Sequence, residues 1–399
     1  MSKLFIHKSL NLHKTGKLKT NTRIWVQYAS MEKLTSDVTV IGAGVIGLAI
    51  ACRLGGSDKS VTVVESYPKF GNETSSRNSE VIHSGIHYPI HSLKTRYCIE
   101  GREKLYQFCE QYGVGYRQTG KFVVACSDTE VSYLENLSQH CKSLGVPHDW
   151  VTGGAIETAE KLVAARGGLF LPRTGIVDSH SLMATLERKA IDGGVVFAYR
   201  HRVKSVTRAG NAWDVVVESP TDNFQISSAV VINAAGLGAA EITNQALGRT
   251  RYQHKYCRGR YFMLSSKYRG RFSHLVYPVP QKDGLGVHVT VDMEQNARLG
   301  PDTDWSDIHH YAEVSRLYDC DWSSLTEPFL KSVNRYCPSI KRADLTPGLI
   351  GIRPKLFVDG TAHPDFLLEN TDNFIHCLGI ESPGLTSCLV IADEVEKLL

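Results

Sequence analysis

The chain has 399 residues, 42% hydrophobic and 22% charged, with a formal net charge of +4. This length allows a sizeable core, as two or three domains or one large domain with insertions. No sustained Lys/Arg stripe marks the body, which argues against nucleic acid as the main partner, and no run of about twenty apolar residues offers a membrane span.

The first thirty residues stand apart. Lys3, Lys8, Lys14, Lys17, Lys19 and Arg23 are basic, and no acid precedes Glu32. This is the composition of a mitochondrial targeting segment or a disordered basic tail, so residues 1–34 are set outside the fold. The ten cysteines are scattered without a CxxC pair. That suits a reducing compartment and offers no zinc site.

An apolar run at 38–41 then meets Gly42-Ala43-Gly44-Val45-Ile46-Gly47, and a second apolar run, 61–64, ends at Glu65. The order predicts a strand, a tight turn, a helix and a second strand. Gly42, Gly44 and Gly47 allow backbone to approach a pyrophosphate at a helix start, and Glu65 stands where a ribose-binding carboxylate belongs. The pattern reads as dinucleotide binding.

Residues 73–89 form a polar, glycine-bearing loop. Helical spacing covers 92–112 and 131–144, with a strand at 120–125 between them. A short strand at 168–172 precedes a helix at 180–192 and strands at 195–198, 201–206 and 212–218. Residues 229–236 read as a buried strand running into Asn233-Ala234-Ala235-Gly236, where small residues let the chain pass close to the cofactor. The stretch 258–291 is β-rich, and 301–330 reads as a helical, surface-exposed insertion. The chain closes with a strand at 374–379, a turn at 380–384 and a helix at 385–398. A helix start carries partial positive charge, and there it would stabilise the pyrimidine end of a reduced flavin. No second GxGxxG appears. Electrons therefore come from a substrate and leave to a separate acceptor, without a nicotinamide cofactor.

Several segments carry a family likeness: Ser76-Arg77-Asn78-Ser79-Glu80-Val81-Ile82-His83-Ser84-Gly85-Ile86-His87-Tyr88, Tyr277-Pro278-Val279-Pro280, Leu285-Gly286-Val287-His288-Val289-Thr290, Gly351-Ile352-Arg353-Pro354-Lys355 and Gly379-Ile380-Glu381-Ser382-Pro383-Gly384-Leu385-Thr386. From about 37 to 399 the chain resembles FAD-dependent oxidoreductases of the D-amino-acid oxidase superfamily, most of all those acting on L-2-hydroxyglutarate. His87 departs from the pattern, which more often has an aromatic residue there, and so does the stretch 291–294. The resemblance implies FAD as cofactor and oxidation of L-2-hydroxyglutarate to 2-oxoglutarate. It implies an α/β fold with a Rossmann-like FAD lobe assembled from 37–100, 171–250 and 345–399. An α+β substrate lobe with an antiparallel sheet, 101–170 and 251–344, covers the flavin. The implied cofactor contacts beyond the glycine turn and Glu65 are Ser76, Arg77, Asn78, Ser79, Val203, Ala235, Gly236, Gly379, Gly384, Leu385 and Thr386.

Oxidation of a hydroxy acid removes the hydroxyl proton and transfers hydride from the α carbon, so a base that works near neutrality is useful. His288 shares a strand face with Gly286 and Thr290 and can point into a cavity. His83 lies in the loop expected to pass the flavin, as base, flavin contact or covalent attachment point. One of these two is expected to be the base. His83, His87 and His91 are spaced by four, but Gly85 and Pro89 interrupt any helix that would make them a metal face. A dicarboxylate calls for cations, and arginine grips a carboxylate through two parallel hydrogen bonds. Arg353 is the first candidate, Arg260 and Arg258 the next, with Tyr261 and Tyr88 as hydroxyl donors. Competing readings are oxidation of another small anion (glycerol 3-phosphate, a D-amino acid, sarcosine) and a non-catalytic flavin-binding protein. Oxygen, a membrane quinone reached by peripheral docking and a soluble electron carrier all fit as acceptor.

Overall fold

The structure, a computed structural model, describes residues 32–280 and 286–399. The basic segment 1–31 and Leu285 of the family-like segments lie outside the described residues. The fold begins before the expected limit at residue 34, because β1 (Glu32–Ile41) starts at Glu32 and already pairs with Phe224 there. From Glu32 to Leu399 the chain forms one compact unit.

β1 runs into the glycine turn, helix α1 (Val45–Leu54) and strand β2 (Val61–Glu65), as the sequence pattern predicts. Val38 and Val40 are fully buried. A central parallel strand is covered on both faces, so it selects β-branched residues. Parallel neighbours extend the sheet from Val196–Tyr199 through β2, β1 and Asn223–Asn233 to Phe374–Leu378. The antiparallel pair Arg202–Ala209 and Ala212–Glu218 attaches to Asn223–Asn233. On one face, α1 packs with the helices Leu93–Tyr112, Ser179–Asp192 and Gly384–Glu396 through Leu48, Ile50, Leu105, Leu182 and Ile391. On the other, Trp213, Val215 and Val217 cover Ile41, Val64, Val231 and Phe374.

The turn after β1 needs glycine at two places. Gly42 has φ +98°, and a Cβ there would lie 2.7 Å from the Ala234 carbonyl oxygen. A Cβ on Gly47 would lie 1.9 Å from the Gly42 carbonyl oxygen. The first glycine admits the end of Asn223–Asn233, and the second seats α1 against the turn.

A second sheet has ten strands and is mainly antiparallel. Its longest pair is Tyr252–Leu264 with Leu345–Val358. Beyond these lie Ala297–Gly300, His288–Val291, Leu275–Pro278, Lys121–Ala125, Gly167–Leu171 and Asp149–Thr152. The lobe boundaries expected from the sequence differ from sheet membership here. Leu345–Val358 belongs to the second sheet, whereas the helix Leu93–Tyr112, cut by the expected boundary at 100, packs mainly in the first core, through Tyr97, Leu105, Tyr106 and Cys109. The stretch 301–330 is mostly exposed or half-buried and carries short helices, as expected, but a few of its residues anchor it to the core. Its 3-10 helix Tyr311–Tyr318 buries Val314 and Leu317, and the following helix Thr326–Val333 buries Phe329 and Val333.

Gly47→Ala is expected to destabilise the protein by about 2 kcal/mol or more, since backbone on both sides must shift. Thermal unfolding checks this, and an unchanged midpoint would contradict the packing described for α1.

Candidate active site

A cavity of about 430 Å³ lies at the end of the first sheet, bordered by Gly42, Gly44, Glu65, Val203, Ala235 and Gly236. A second, about 220 Å³, is bordered by both sheets and shares Gly44, Thr74, Ser75, Ala234 and Gly236 with the first. The two run together as one cleft past the start of α1. That start has no side-chain cap and no acid in its first turn. Its backbone amides and dipole are therefore available to an anion, while Ser75 Oγ accepts from Val45 N at 2.9 Å. Glu65 Oε2 accepts from Ala43 N at 2.7 Å and Oε1 from Tyr67 N at 2.8 Å, which fixes the carboxylate at the cavity wall.

The far end of the cleft meets the last helix, Gly384–Glu396, also without a side-chain cap or an acid in its first turn. Thr386 Oγ1 accepts from His83 N at 3.1 Å and donates to the Val81 carbonyl at 3.2 Å, tying the histidine loop to the helix start. Gly384, Leu385, Ser382 and Glu381 border the cavity. Lys94 and Lys355 both donate to Glu381 Oε1, at 2.9 and 2.7 Å. Burial opposes the charge on Glu381, but the two ammonium groups prevail and hold its carboxyl below the usual range.

His83 borders the cavity, with its Nε2 3.3 Å from Ser382 Oγ. Burial, reinforced by the charge of Lys121, pulls its pKa down to about 3. His87, nearby, is depressed for the same two reasons. His288 also borders the cavity and stacks on Tyr277, with ring centroids 3.5 Å apart and an interplanar angle of 12°. Val287, Val289 and Val291 of the same strand pack into the second core.

Arg353 reaches the cleft from the second sheet. Its Nη2 donates to the carbonyls of Arg258 and Asp302, at 2.7 and 2.8 Å, while Nη1 makes no hydrogen bond to the described residues. Tyr261 lines the same cavity. Arg258 and Arg260, expected as further substrate cations, are not brought there. Arg260 donates from Nε and Nη2 to Asp302 Oδ2 at 2.8 and 2.5 Å, and Arg258 from Nε to Asp304 Oδ2 at 2.7 Å. These carboxylates neutralise them, and the pairs buttress the carbonyls that hold Arg353. Tyr88 lines neither cavity and reaches the site only through Ser382, its Oη 3.4 Å from Ser382 Oγ. Arg77, Asn78 and Ser79 border the cavity, with the Arg77 guanidinium 4.4 Å from the Tyr318 ring centroid, whereas Ser76 is exposed beside them. Gly47, Gly379 and Thr386 shape the backbone without lining either cavity. Ser75, Tyr277 and Ser382 were not foreseen as site residues. The last two lie inside family-like segments, which was the available signal.

A family model described as FAD dependent oxidoreductase matches residues 37–398. This chain belongs to that family. The FAD-dependent oxidoreductase is 33% identical over 401 residues to a mitochondrial L-2-hydroxyglutarate dehydrogenase of Arabidopsis thaliana, covering 90% of this chain and 82% of the relative. It is 26% identical to the L-2-hydroxyglutarate dehydrogenase of Escherichia coli strain K12, over 90% and 92% of the two chains. Its fold matches an FAD-bound L-alpha-glycerophosphate oxidase from Mycoplasma pneumoniae with a TM-score of 0.82 at 23% identity, covering 92% and 94%. FAD is its cofactor, and the residues present fit it. Glu65 and the uncapped start of α1 suit the ribose and pyrophosphate, and the second uncapped helix start suits the pyrimidine edge.

The depressed pKa of His83 makes stability depend on pH. An unfolded histidine, with pKa near 6.5, takes up a proton that folded His83 refuses until about 3. Stability therefore falls as pH drops below about 6.5. Holoenzyme carrying His83→Gln is expected to lose stability less steeply between about pH 6 and 4.5, by close to one proton in the slope. Denaturant titrations across that range measure it, and parallel slopes would contradict the burial assigned to His83.

Proposed function

We propose that this oxidoreductase converts L-2-hydroxyglutarate to 2-oxoglutarate. The observation that carries the reading is a half-buried arginine, Arg353, whose Nη2 is held by two carbonyls while Nε and Nη1 have no hydrogen-bond partner among the described residues, in the same cavity as His83 and His288. A carboxylate bound by Arg353 brings the adjacent hydroxyl carbon among the histidines. The two relatives named as L-2-hydroxyglutarate dehydrogenases support this substrate.

FAD, when bound, supplies the two-electron acceptor for the hydride leaving the α carbon. The chain's own groups do the rest. His83, neutral near pH 7 though a weaker base than an ordinary imidazole, takes the hydroxyl proton. Its Nε2 contact with Ser382 fixes the ring and leaves Nδ1 for the substrate. His288, stacked on Tyr277, walls the pocket and is the alternative base. Tyr261 offers a hydroxyl to the substrate. The cofactor contacts are those that border the cleft: the turn with Gly42 and Gly44, Glu65, Arg77, Asn78, Ser79, Val203, Ala235, Gly236, Gly384 and Leu385.

The cofactor lobe centres on the first sheet and the substrate lobe on the second. Electrons pass to a quinone or a soluble carrier. No described helix is long and apolar enough to cross a membrane, so a quinone would be met by peripheral docking. The compartment in this reading is the mitochondrion, supported by the basic, acid-free start and by the mitochondrial relative from Arabidopsis thaliana.

A substrate panel with an artificial dye as acceptor tests the reading. L-2-hydroxyglutarate is expected to give the highest kcat/KM, above glycerol 3-phosphate, sarcosine and D-amino acids. Preference for any of those would overturn it. Arg353→Met is expected to lower kcat/KM about 100-fold, mostly through KM. His83→Gln is expected to slow flavin reduction about 100-fold or more with FAD content unchanged. If His83→Gln reacts normally and the corresponding His288 variant is slow, His288 is the base.

A further inference from the structure

The segment Tyr311-Ala312-Glu313-Val314-Ser315-Arg316-Leu317-Tyr318 forms a 3-10 helix after the short strand Asp304–Trp305 of the second sheet. Residues three apart eclipse in such a helix, so Tyr311, Val314 and Leu317 share one face. Val314 and Leu317 are buried against Leu237, Tyr256 and Ile352. Glu313 and Arg316 pair with each other at 2.8 Å, and the arginine is exposed. Apolar burial therefore pins the helix along one side and leaves Tyr311 at its start, over the first cavity.

Tyr311 touches both banks of that cavity. One bank follows Asn223–Asn233. There the Tyr311 backbone N–H donates to Glu241 Oε1 at 2.7 Å, and the ring lies on Gly238, where a Cβ would stand 3.4 Å from Tyr311 Cδ1. The other bank follows β2. There the Tyr311 hydroxyl donates to Glu73 Oε1 at 2.8 Å. Tyr67, on the same bank as Glu73, donates to that same oxygen at 3.0 Å. All five of these residues border the cavity. Ala312 borders it too and is exposed, so the helix has the cavity on one side and solvent on the other. At the far end of the helix the Tyr318 ring carries the guanidinium of Arg77, which borders the second cavity. The helix thus runs along the cleft from one cavity to the other.

We propose that Tyr311–Tyr318 is a cofactor strap: Tyr311 bridges the cavity that takes the Glu65 end of FAD, and its hydrogen bond to Glu73 must break before the cofactor can leave. A phenol that donates to a carboxylate makes a stronger bond than one between neutral groups, which suits it to hold two banks together. Tyr67 satisfies the same carboxylate but spans nothing. The proposal rests on the placement of FAD in the first cavity and not on the choice of substrate.

The test is the exchange of bound radiolabelled FAD for excess unlabelled FAD in holoenzyme, for wild type, Tyr311→Phe and Tyr67→Phe. Tyr311→Phe is expected to release FAD about tenfold faster. Tyr67→Phe is expected to stay near wild type. A folded Tyr311→Phe that exchanges at the wild-type rate overturns the proposal. So does a Tyr67→Phe that speeds release as much as Tyr311→Phe, because the bridge would then not be what matters. In wild type, hydrogen exchange at the amides of 312–318 is expected to be slower with FAD in excess than in half-loaded protein. Equal exchange in the two samples overturns the proposal even if Tyr311→Phe fails to fold. Neither measurement uses substrate, so a protein that ignores L-2-hydroxyglutarate would sink the substrate reading and leave this result standing.

Discussion

The carbonyl of Ala234 and the α carbon of Gly42 approach so closely that no side chain fits between them. That contact sets where the cleft lies. It brings the end of Asn223–Asn233 against the turn after β1, so Ala235 and Gly236 face the start of α1 across the cofactor cavity. The next parallel strand, Phe374–Leu378, follows in register and delivers the turn that opens the last helix. One helix start thus stands at each end of the cleft, and both starts are fixed by strands of a single sheet.

The second sheet supplies the chemistry, and its charges are sorted with little waste. Arg258 and Arg260 are neutralised by Asp302 and Asp304, yet they build the wall that aims Arg353. Glu381 is gripped by Lys94 and Lys355, leaving one net positive charge beside the last helix start. Lys121 is buried without a counter-charge among the described residues. The cleft is therefore biased toward anions, and burial keeps His83 neutral. The cationic bias suits an anionic substrate.

The glycine turn and the strands around it were legible because a period of two, a helical period and the glycines all agree there. Ala212–Glu218 was equally plain, since Trp213 and three valines stand between two turns, and in the structure their burial alternates. Leu345–Val358 was hidden by Pro347, Gly348, Gly351 and Pro354, which read as loop. The strand tolerates them because beyond it lies only the two-residue strand Thr361–Ala362. The misplacement of Arg258 and Arg260 has a similar origin. Their partners sit more than forty residues downstream, in a segment whose acids looked like surface. The likeness of the segments around His83, Arg353 and Ser382 pointed to residues that border one cavity, but only the coordinates show how Thr386 binds the histidine loop and what Lys121 lies against.

The central claim is that a small hydroxy diacid gives up its electrons in the cleft between these two sheets. Its most direct test is the visible spectrum of the oxygen-free holoenzyme titrated with each enantiomer of 2-hydroxyglutarate. The account predicts that the L enantiomer bleaches the flavin fully while the D enantiomer leaves it yellow. A flavin that stays oxidised with the L enantiomer but responds to chemical reductant would contradict it.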